Sequence, residues 1–419
     1  MGFLYVDGHV RAYHGKREIP KTHVARIRLA MPATTDYWVN DAEGDPLFVV
    51  TSEANRGLVE MLPLVLDEVR KLVGDRRVTV VFDRGGWSPK LFAKLLDSEF
   101  DILTYRKGRC PRLPKRHFSR HQADMEGRKV DYLLADKGIY VEYGPRRARK
   151  RLHLRQVTRL QDGHQTQIIT SRTDLPAIEV AYRMFERWRQ ENFFKYLRDE
   201  YALDALVDYS VAPADPDRTV PNPERHRLNA KLRKAYAEVN QLAAEFGVEA
   251  LTNKESIRRT MRGFKIANAP LTNRIIEHMQ TVIQLENKRA TLPTRVPVKR
   301  LVGDDVIKLG VERKHLSDLL KMVAFQAESD LLRLAAPHYR RAEQEGRTLV
   351  HSALATAGDI EVADEELRVT LEPLSSPHRT NALATLCSQL DDTRTCFPGT
   401  KLRLRFAVKP EPSASLAFP

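Results

Sequence analysis

Residues 78–83, Val-Thr-Val-Val-Phe-Asp, form an apolar, largely β-branched run that stops at a carboxylate. Segments with helical spacing stand on both sides of it. Such a run is a strand buried on both faces, and a strand of that kind needs helices to cover it. Upstream, Leu58, Met61, Leu62, Val65, Leu66, Val69 and Leu72 recur at helical intervals within residues 55–73, and Gly74 follows as a stop. Downstream, Ser88 and Pro89 form an N-cap and first helical position for SPKLFAKLLDSE. FDILTYRKG (100–108) reads as the next strand. The chain therefore reads as α/β, with a mixed sheet between helices.

The flanking segments fill out this frame. FLYVDGHVRAYHG alternates and reads as a hairpin turning near Gly8, and RIRLA (26–30) as a short strand. YWVNDAEGDPLFVVTS gives two strands around Glu43-Gly44-Asp45. Residues 109–165 lose helical period and read as a basic, strand-rich insertion. Asp174 then caps, with Pro176 in the first turn, one long helix running through AIEVAYRMFERWRQENFFKYLRDEYAL, with Phe185 and Trp188 toward the core. APADPDRTVPNPE reads as a linker from its proline content. Beyond it Leu228, Leu232, Ala235, Val239, Leu242 and Phe246 approximate an a/d seam of about three heptads. That length predicts packing inside a helical domain. Residues 315–335 form a further helix, and the remainder alternates strand, helix and strand.

Charge narrows the partner. The chain of 419 residues carries 69 Lys and Arg against 55 Asp and Glu, a net of +14. Residues 101–160 hold 17 of those bases against 6 acids, a net of +11. In PRRARKRLHLRQVTRL, the bases Arg146, Arg147, Arg149, Lys150, Arg151, Arg155 and Arg159 have no acid beside them. Such a block suits a polyanion, since each neutralised phosphate releases counterions. The competing reading is a solvated basic face. A hydrophobic fraction of 42% excludes a mostly disordered chain. No apolar run reaches the roughly 18 residues of a membrane helix, and the first residues do not read as a signal peptide. The odd set Cys110, Cys387 and Cys396 argues against a disulfide framework and for a reducing, cytosolic setting. No phosphate-binding Gly-rich loop is present, and Cys110, His117 and His121 lack a fourth zinc ligand at standard spacing.

Three carboxylates sit where chemistry could use them. Asp7 ends the first strand candidate, Asp83 ends the buried strand, and Glu191 lies on the long helix. If they converge, they form an oxygen-only site suited to Mg²⁺ or Mn²⁺. Two such ions can activate a water and stabilise the leaving oxygen of a phosphodiester. Arg187, Glu191, Lys195 and Arg198 follow spacings of 4, 4 and 3 and share one helix face. That stripe can bind metal and clamp phosphate, or it can be a pair of solvated salt bridges.

YVDGHVRAYHG, VVFDRGGWS and YRMFERWRQENFFKYLRDEYALD together resemble the DDE transposases of bacterial insertion sequences. More narrowly, they are similar to the group whose third acid lies in a Tyr-x2-Arg-x3-Glu-x6-Lys signature. The resemblance covers about residues 3–215. It implies an RNase H-like core in residues 1–108 and 166–215, interrupted by the basic insertion 109–165. A helical region (216–345) and a small α+β part (346–419) follow. It implies Asp7, Asp83 and Glu191 as catalytic acids and ligands of two Mg²⁺ or Mn²⁺ ions. Arg187, Lys195, Arg198, Arg146, Arg147, Arg149, Lys150 and Arg151 would contact DNA. The partners implied are double-stranded transposon ends and target DNA, with a homodimer assembled on them, no membrane, and a nucleoid-associated location in a bacterial cytoplasm. The signature's Tyr falls on Met184, with Tyr182 two residues earlier. Its Lys falls on Arg198, with Lys195 three residues short. Family members usually carry a DNA-binding domain before the first acid, whereas six residues precede Asp7 here. That leaves open a truncated or domesticated relative that grips DNA without transposing it, or a nuclease that cuts without strand transfer.

Overall fold

The computed structural model describes residues 2–108, 110–145, 147–205, 207–252 and 260–410. The side chain of Trp188 lies outside what is described. The chain opens with β1 (Phe3–Ala12), β2 (Lys21–Val24), β3 (Leu29–Asn40) and β4 (Pro46–Glu53). Then come α1 (Leu58–Val73), β5 (Val78–Phe82), α2 (Pro89–Asp97) and β6 (Phe100–Tyr105). Four antiparallel strands follow: β7 (Ser119–Met125), β8 (Arg128–Tyr143), β9 (Lys150–Gln161) and β10 (His164–Thr170). These ten strands form one mixed sheet in the order β2-β3-β1-β5-β6-β10-β9-β8-β7, with β4 also paired to β3. β1, β5 and β6 are parallel at its centre.

Both faces of that centre are covered. On one side Leu4, Val6, Val80, Phe82 and Ile102 pack against Leu62, Val65 and Leu66 of α1 and Phe92 of α2. On the other, Phe3, Tyr5, Val81, Leu103, Val157 and Ile168 pack against α3 (Ala177–Phe185). The fully buried β5 is the apolar run that dominated the sequence. Burying each such aliphatic contributes about 1.5–3 kcal/mol, which makes the two-sided core the main stabilising term.

Several sequence expectations need correction. Residues 3–12 are one continuous strand with Gly8 at its middle, and no hairpin turns there. Gly8 lies opposite Tyr37 in register, and a Cβ on it would stand 3.0 Å from the Tyr37 ring. The glycine therefore makes room for a ring and makes no turn. Residues 25–28 form a turn, and the strand expected at 26–30 starts only at Leu29. The long helix is two, α3 and α4 (Trp188–Tyr201), interrupted at Glu186–Arg187. Asp174 does not cap it and instead pairs with Arg172 at 2.7 Å. Within residues 109–165, β7, β8 and β9 extend the same sheet, joined to β6 through β10.

The proline-rich linker is partly ordered as β11 (Val211–Pro213) and β12 (Thr219–Pro221). Beyond it lie α5 (Pro223–Thr252), α6 (Met261–Ala267), α7 (Ala269–Thr291), β13 (Arg295–Pro297), α8 (Lys299–Val302) and β14 (Ile307–Leu309). β11 pairs with β14 and β12 with β13. Leu232, Ala235 and Val282 join α5 to α7. The a/d seam thus serves an antiparallel helical hairpin. Then come α9 (Glu312–Ala335) and α10 (Ala342–Ala355). A three-stranded sheet of β15 (Gly358–Ala363), β16 (Glu366–Leu371) and β17 (Arg403–Val408) packs with α11 (Pro377–Asp392). Among the described residues no helix is long and apolar enough to cross a membrane.

Gly86 follows the strand end at Asp83, and a Cβ there would overlap the Phe82 ring. Gly86→Ala should destabilise the chain by about 1–3 kcal/mol through overpacking. Urea titration followed by circular dichroism would check this, with a lower midpoint and an unchanged slope expected.

Candidate active site

The parallel pairing of β1 with β5 positions the first two acids. Its register joins Tyr5 to Val81 and Val6 to Phe82, so Asp7 and Asp83 come next at the same level. Side chains alternate along a strand. Asp7 therefore projects to the same side as Phe3 and Tyr5, and Asp83 to the same side as Val81, which is the side α3 covers. Asp7 is not the end of its strand as expected, but it stands where the parallel ladder stops. Asp83 accepts a hydrogen bond from the Gly85 backbone at 2.7 Å, and Asp7 accepts one from Gly8 at 2.9 Å.

The break between α3 and α4 brings the third group in. Arg187 stands at the start of α4 and its Nη1 reaches Asp7 Oδ2 at 2.8 Å. Its Nη2 reaches Glu191 Oε1 at 3.1 Å, one turn along the helix. The guanidinium thus bridges an acid from the sheet and an acid from the helix. Arg187 and Asp7 are mostly shielded, with side-chain exposures of 15% and 20%, while Glu191 is 65% exposed. Burial raises the Asp7 pKa above the ordinary carboxylate value. Arg187 opposes that rise, Asp83 adds to it, and the balance is upward. The carboxylates in turn keep Arg187 firmly charged.

Other residues complete the surroundings. Asp7 and Asp83 line an open cleft of about 270 Å³ with Thr22, Tyr37, Asn55 and Arg56. Arg84 lies 5.5 Å from the Tyr105 ring centroid, and Arg159 sits 4.4 Å over Tyr132 and 4.5 Å over Phe185. Arg84 and Arg159 act on the Tyr105 hydroxyl alongside Arg187 and Glu191. Arg84, Arg159 and Lys195 carry no ion pair among the described residues, so their charges are available. Neither Arg84 nor Arg56 is among the residues the sequence singles out. Arg84 could have been found as the residue directly after Asp83, whereas nothing in the sequence pointed to Arg56.

The expected helix stripe is only partly directed at the acids. Arg187 and Glu191 face the site. Lys195 is exposed further along α4, and Arg198 pairs with Asp199 at 3.2 Å. Met184 is buried, and the Tyr182 hydroxyl donates to Glu126 at 3.0 Å. The basic block is placed elsewhere. Phe82, Thr104, Ile169 and Gln156 align across neighbouring strands, while Lys150 lies six residues back along β9. At about 3.3 Å per residue the β8–β9 tip with Arg147, Arg149, Lys150 and Arg151 is roughly 20 Å from the level of the acids, toward the other end of the sheet. Its charge is also reduced. Glu142 on β8 holds Arg149 at 2.6 Å and Arg151 at 3.4 Å, and Asp136 holds Arg155 at 2.6 Å. These acids lie outside the basic run itself, on the partner strand of the β8–β9 pair. Arg146 lies outside the described residues.

Asp7 and Asp83 are hard oxygen donors in adjacent positions, which suits Mg²⁺ or Mn²⁺ in kind. Glu191 is joined to them through Arg187. Among the described residues no three His, Cys, Asp or Glu side chains are grouped closely enough to hold a metal ion.

A family model described as a transposase protein matches residues 1–409. The chain belongs to that transposase family. No curated protein matches it. Among solved structures, it is similar to a piggyBac transposase in a cryo-EM synaptic complex with hairpin DNA, at 12% identity and a TM-score of 0.31. That match covers 46% of this transposase-family chain and 40% of the piggyBac chain, and so spans less than half of either.

Because the Asp7 charge is held against burial and a neighbouring carboxylate, its folded-state pKa exceeds its unfolded one. The stability linked to its proton is present in acid and is lost as pH rises through the raised value. Asp7→Asn should therefore melt a few degrees above the parent at about pH 7, and the difference should close by about pH 4. Differential scanning calorimetry across that range checks it, and an Asn variant that melts lower throughout would contradict it.

Proposed function

We propose that this chain is a DNA transposase of the insertion-sequence type, hydrolysing phosphodiesters at element ends with Asp7, Asp83 and Glu191. The observation that carries the reading is the pair of acids side by side at the end of the β1–β5 ladder, facing the helix that bears Arg187 and Glu191, in a member of a transposase family. An RNase H-like core is supported by the arrangement of the first elements. Antiparallel β4, β3 and β1 lead through α1 and α2 into parallel β5 and β6, with the acids on the two neighbouring central strands.

Asp7 and Asp83, joined by Glu191, would hold the divalent ions. Bound there, two Mg²⁺ or Mn²⁺ ions would activate water and stabilise the leaving 3′ oxygen, which would then attack a second strand. The protein's own part is positional. The ladder holds two like charges together, and Arg187 offsets part of that charge until divalent cations bind. Its guanidinium is then free to grip phosphate by two parallel hydrogen bonds. Arg84, Arg159 and Lys195 provide unpaired cations for the backbone near the cleaved end. Arg147 and Lys150, at the distant tip, would contact DNA remote from the cut. A homodimer on DNA and Mg²⁺ dependence belong to the same proposal.

A second reading has one observation in its favour: Arg187 occupies the position between Asp7 and Glu191 where a cation would bind. On that reading the chain grips DNA without cutting it. The two separate in one assay. Purified protein is incubated with supercoiled DNA carrying the element's ends, with and without Mg²⁺. The catalytic reading expects Mg²⁺-dependent nicks that fall at least about a hundredfold in Asp83→Ala and Glu191→Ala, with DNA affinity retained. Equal nicking by the variants would end the assignment of these acids. Tight, salt-sensitive binding without product would favour the second reading.

A further inference from the structure

α9 buries three charged side chains beside an apolar anchor formed by Met322 and Phe325. Its inward face carries charge: Lys314 and Asp318 form an ion pair with exposures of 2% and 0%, and Glu328 is 2% exposed. Its outward face is aliphatic. Leu316, Leu319, Leu320 and Val323 are 60%, 51%, 63% and 55% exposed. They follow spacings of three, one and three, so they form one stripe, which exposed Ala327 and Leu334 prolong. Scattered exposed leucines are ordinary, but a contiguous stripe on a helix that buries an ion pair and a glutamate is not. The buried charges do have partners. Glu328 accepts hydrogen bonds from Tyr196 at 2.7 Å and Tyr201 at 2.5 Å, both on α4, and Arg347 lies 3.5 Å away. These polar contacts, together with the packing of Met322 and Phe325 on α4, orient the helix and leave the leucine stripe toward solvent.

We propose that this face docks against the same face of a second copy, the two α9 helices antiparallel about a two-fold axis. Charge complementarity selects that occupant. In the register that sets Leu320 opposite Val323 of the second copy, Leu316 falls opposite Ala327. The same register sets Arg313 opposite Asp330. Arg313 and Asp330 have side-chain exposures of 77% and 73%. Within the chain Arg313 meets Asp208 only at 4.0 Å, and Asp330 meets Arg333 within its own helix. A two-fold axis makes every contact twice, so an apolar centre is closed at both ends by an ion pair. The stripe from 316 to 327 is about 17 Å long, enough for a helix-pair seam. On α7, exposed Ile276, Met279 and Ile283 form a shorter stripe without such an end charge pattern.

The inference is independent of the catalytic reading and is tested without DNA or metal. The full chain is examined by sedimentation equilibrium over a dilution series. A concentration-dependent dimer is expected. Leu320→Glu should weaken it at least about tenfold, with far-ultraviolet circular dichroism unchanged because Leu320 faces solvent. Arg313→Glu and Asp330→Lys should each weaken the dimer, and the two together should restore it. A parent protein that stays monomeric at every concentration would overturn the proposal and assign the stripe to a different partner. A dimer indifferent to Leu320→Glu would overturn it too, as would a double reversal that fails to restore association.

Discussion

Two carboxylates at the same level of adjacent parallel strands repel each other, and one of them is buried enough for its pKa to rise. Such a pair persists only if something opposes the repulsion. Here the Arg187 guanidinium does so, reaching from α4 to Asp7 and on to Glu191. The core beneath supplies the other half of the constraint. Val80, Phe82 and Leu62 on one face, with Tyr5, Val81 and Leu103 on the other, hold β1 and β5 in a register that the acids alone would not choose. Without Arg187 the shielded Asp7 carboxylate would face Asp83 with no opposing charge beside it. The site is thus assembled at the expense of local stability, a common arrangement where ionised groups must face each other.

The rest of the molecule is organised around the helix that carries Arg187. Phe193, Phe194 and Leu197 of α4 pack on Trp38 of β3 and on Met322 and Phe325 of α9. Gln190 donates to the Tyr5 backbone at 3.0 Å and links α4 to the strand bearing Asp7. Along the same face of β1, His9 meets Asp204 at 2.7 Å, and Arg11 meets Asp36 at 3.6 Å. A polar layer therefore runs from Asp7 beneath α4 toward α9. The C-terminal half docks on this layer through directed contacts such as Ser329 to Asp45 at 2.5 Å. Polar contacts of this type specify orientation more sharply than aliphatic packing does.

Local pattern was legible wherever an element is stabilised by its own residues. α1 begins and ends within three residues of its apolar spacing, Ser88 caps α2 by accepting from Leu91 at 3.3 Å, and β5 occupies the expected apolar run. The errors fell where a distant residue decides. Gly8 reads as a turn until Tyr37 is seen across from it. The helix from 177 to 201 keeps its period across Glu186–Arg187, yet it breaks there, with Glu186 held by Arg189 and Arg187 drawn to Asp7. The basic block reads as unpaired because Glu142 and Asp136 lie on the neighbouring strand.

The amino-acid order thus carried the α/β class, the covering helices and the acidic and basic residues of the candidate site, since propensity and periodicity act over a few residues. Strand register, the bridging of Asp7 to Glu191 by one arginine, the remoteness of the basic tip and the outward turn of the α9 leucines were set only when distant segments met. Each depends on which side chains share a face or a level in the folded chain, and separation along a sequence does not encode that.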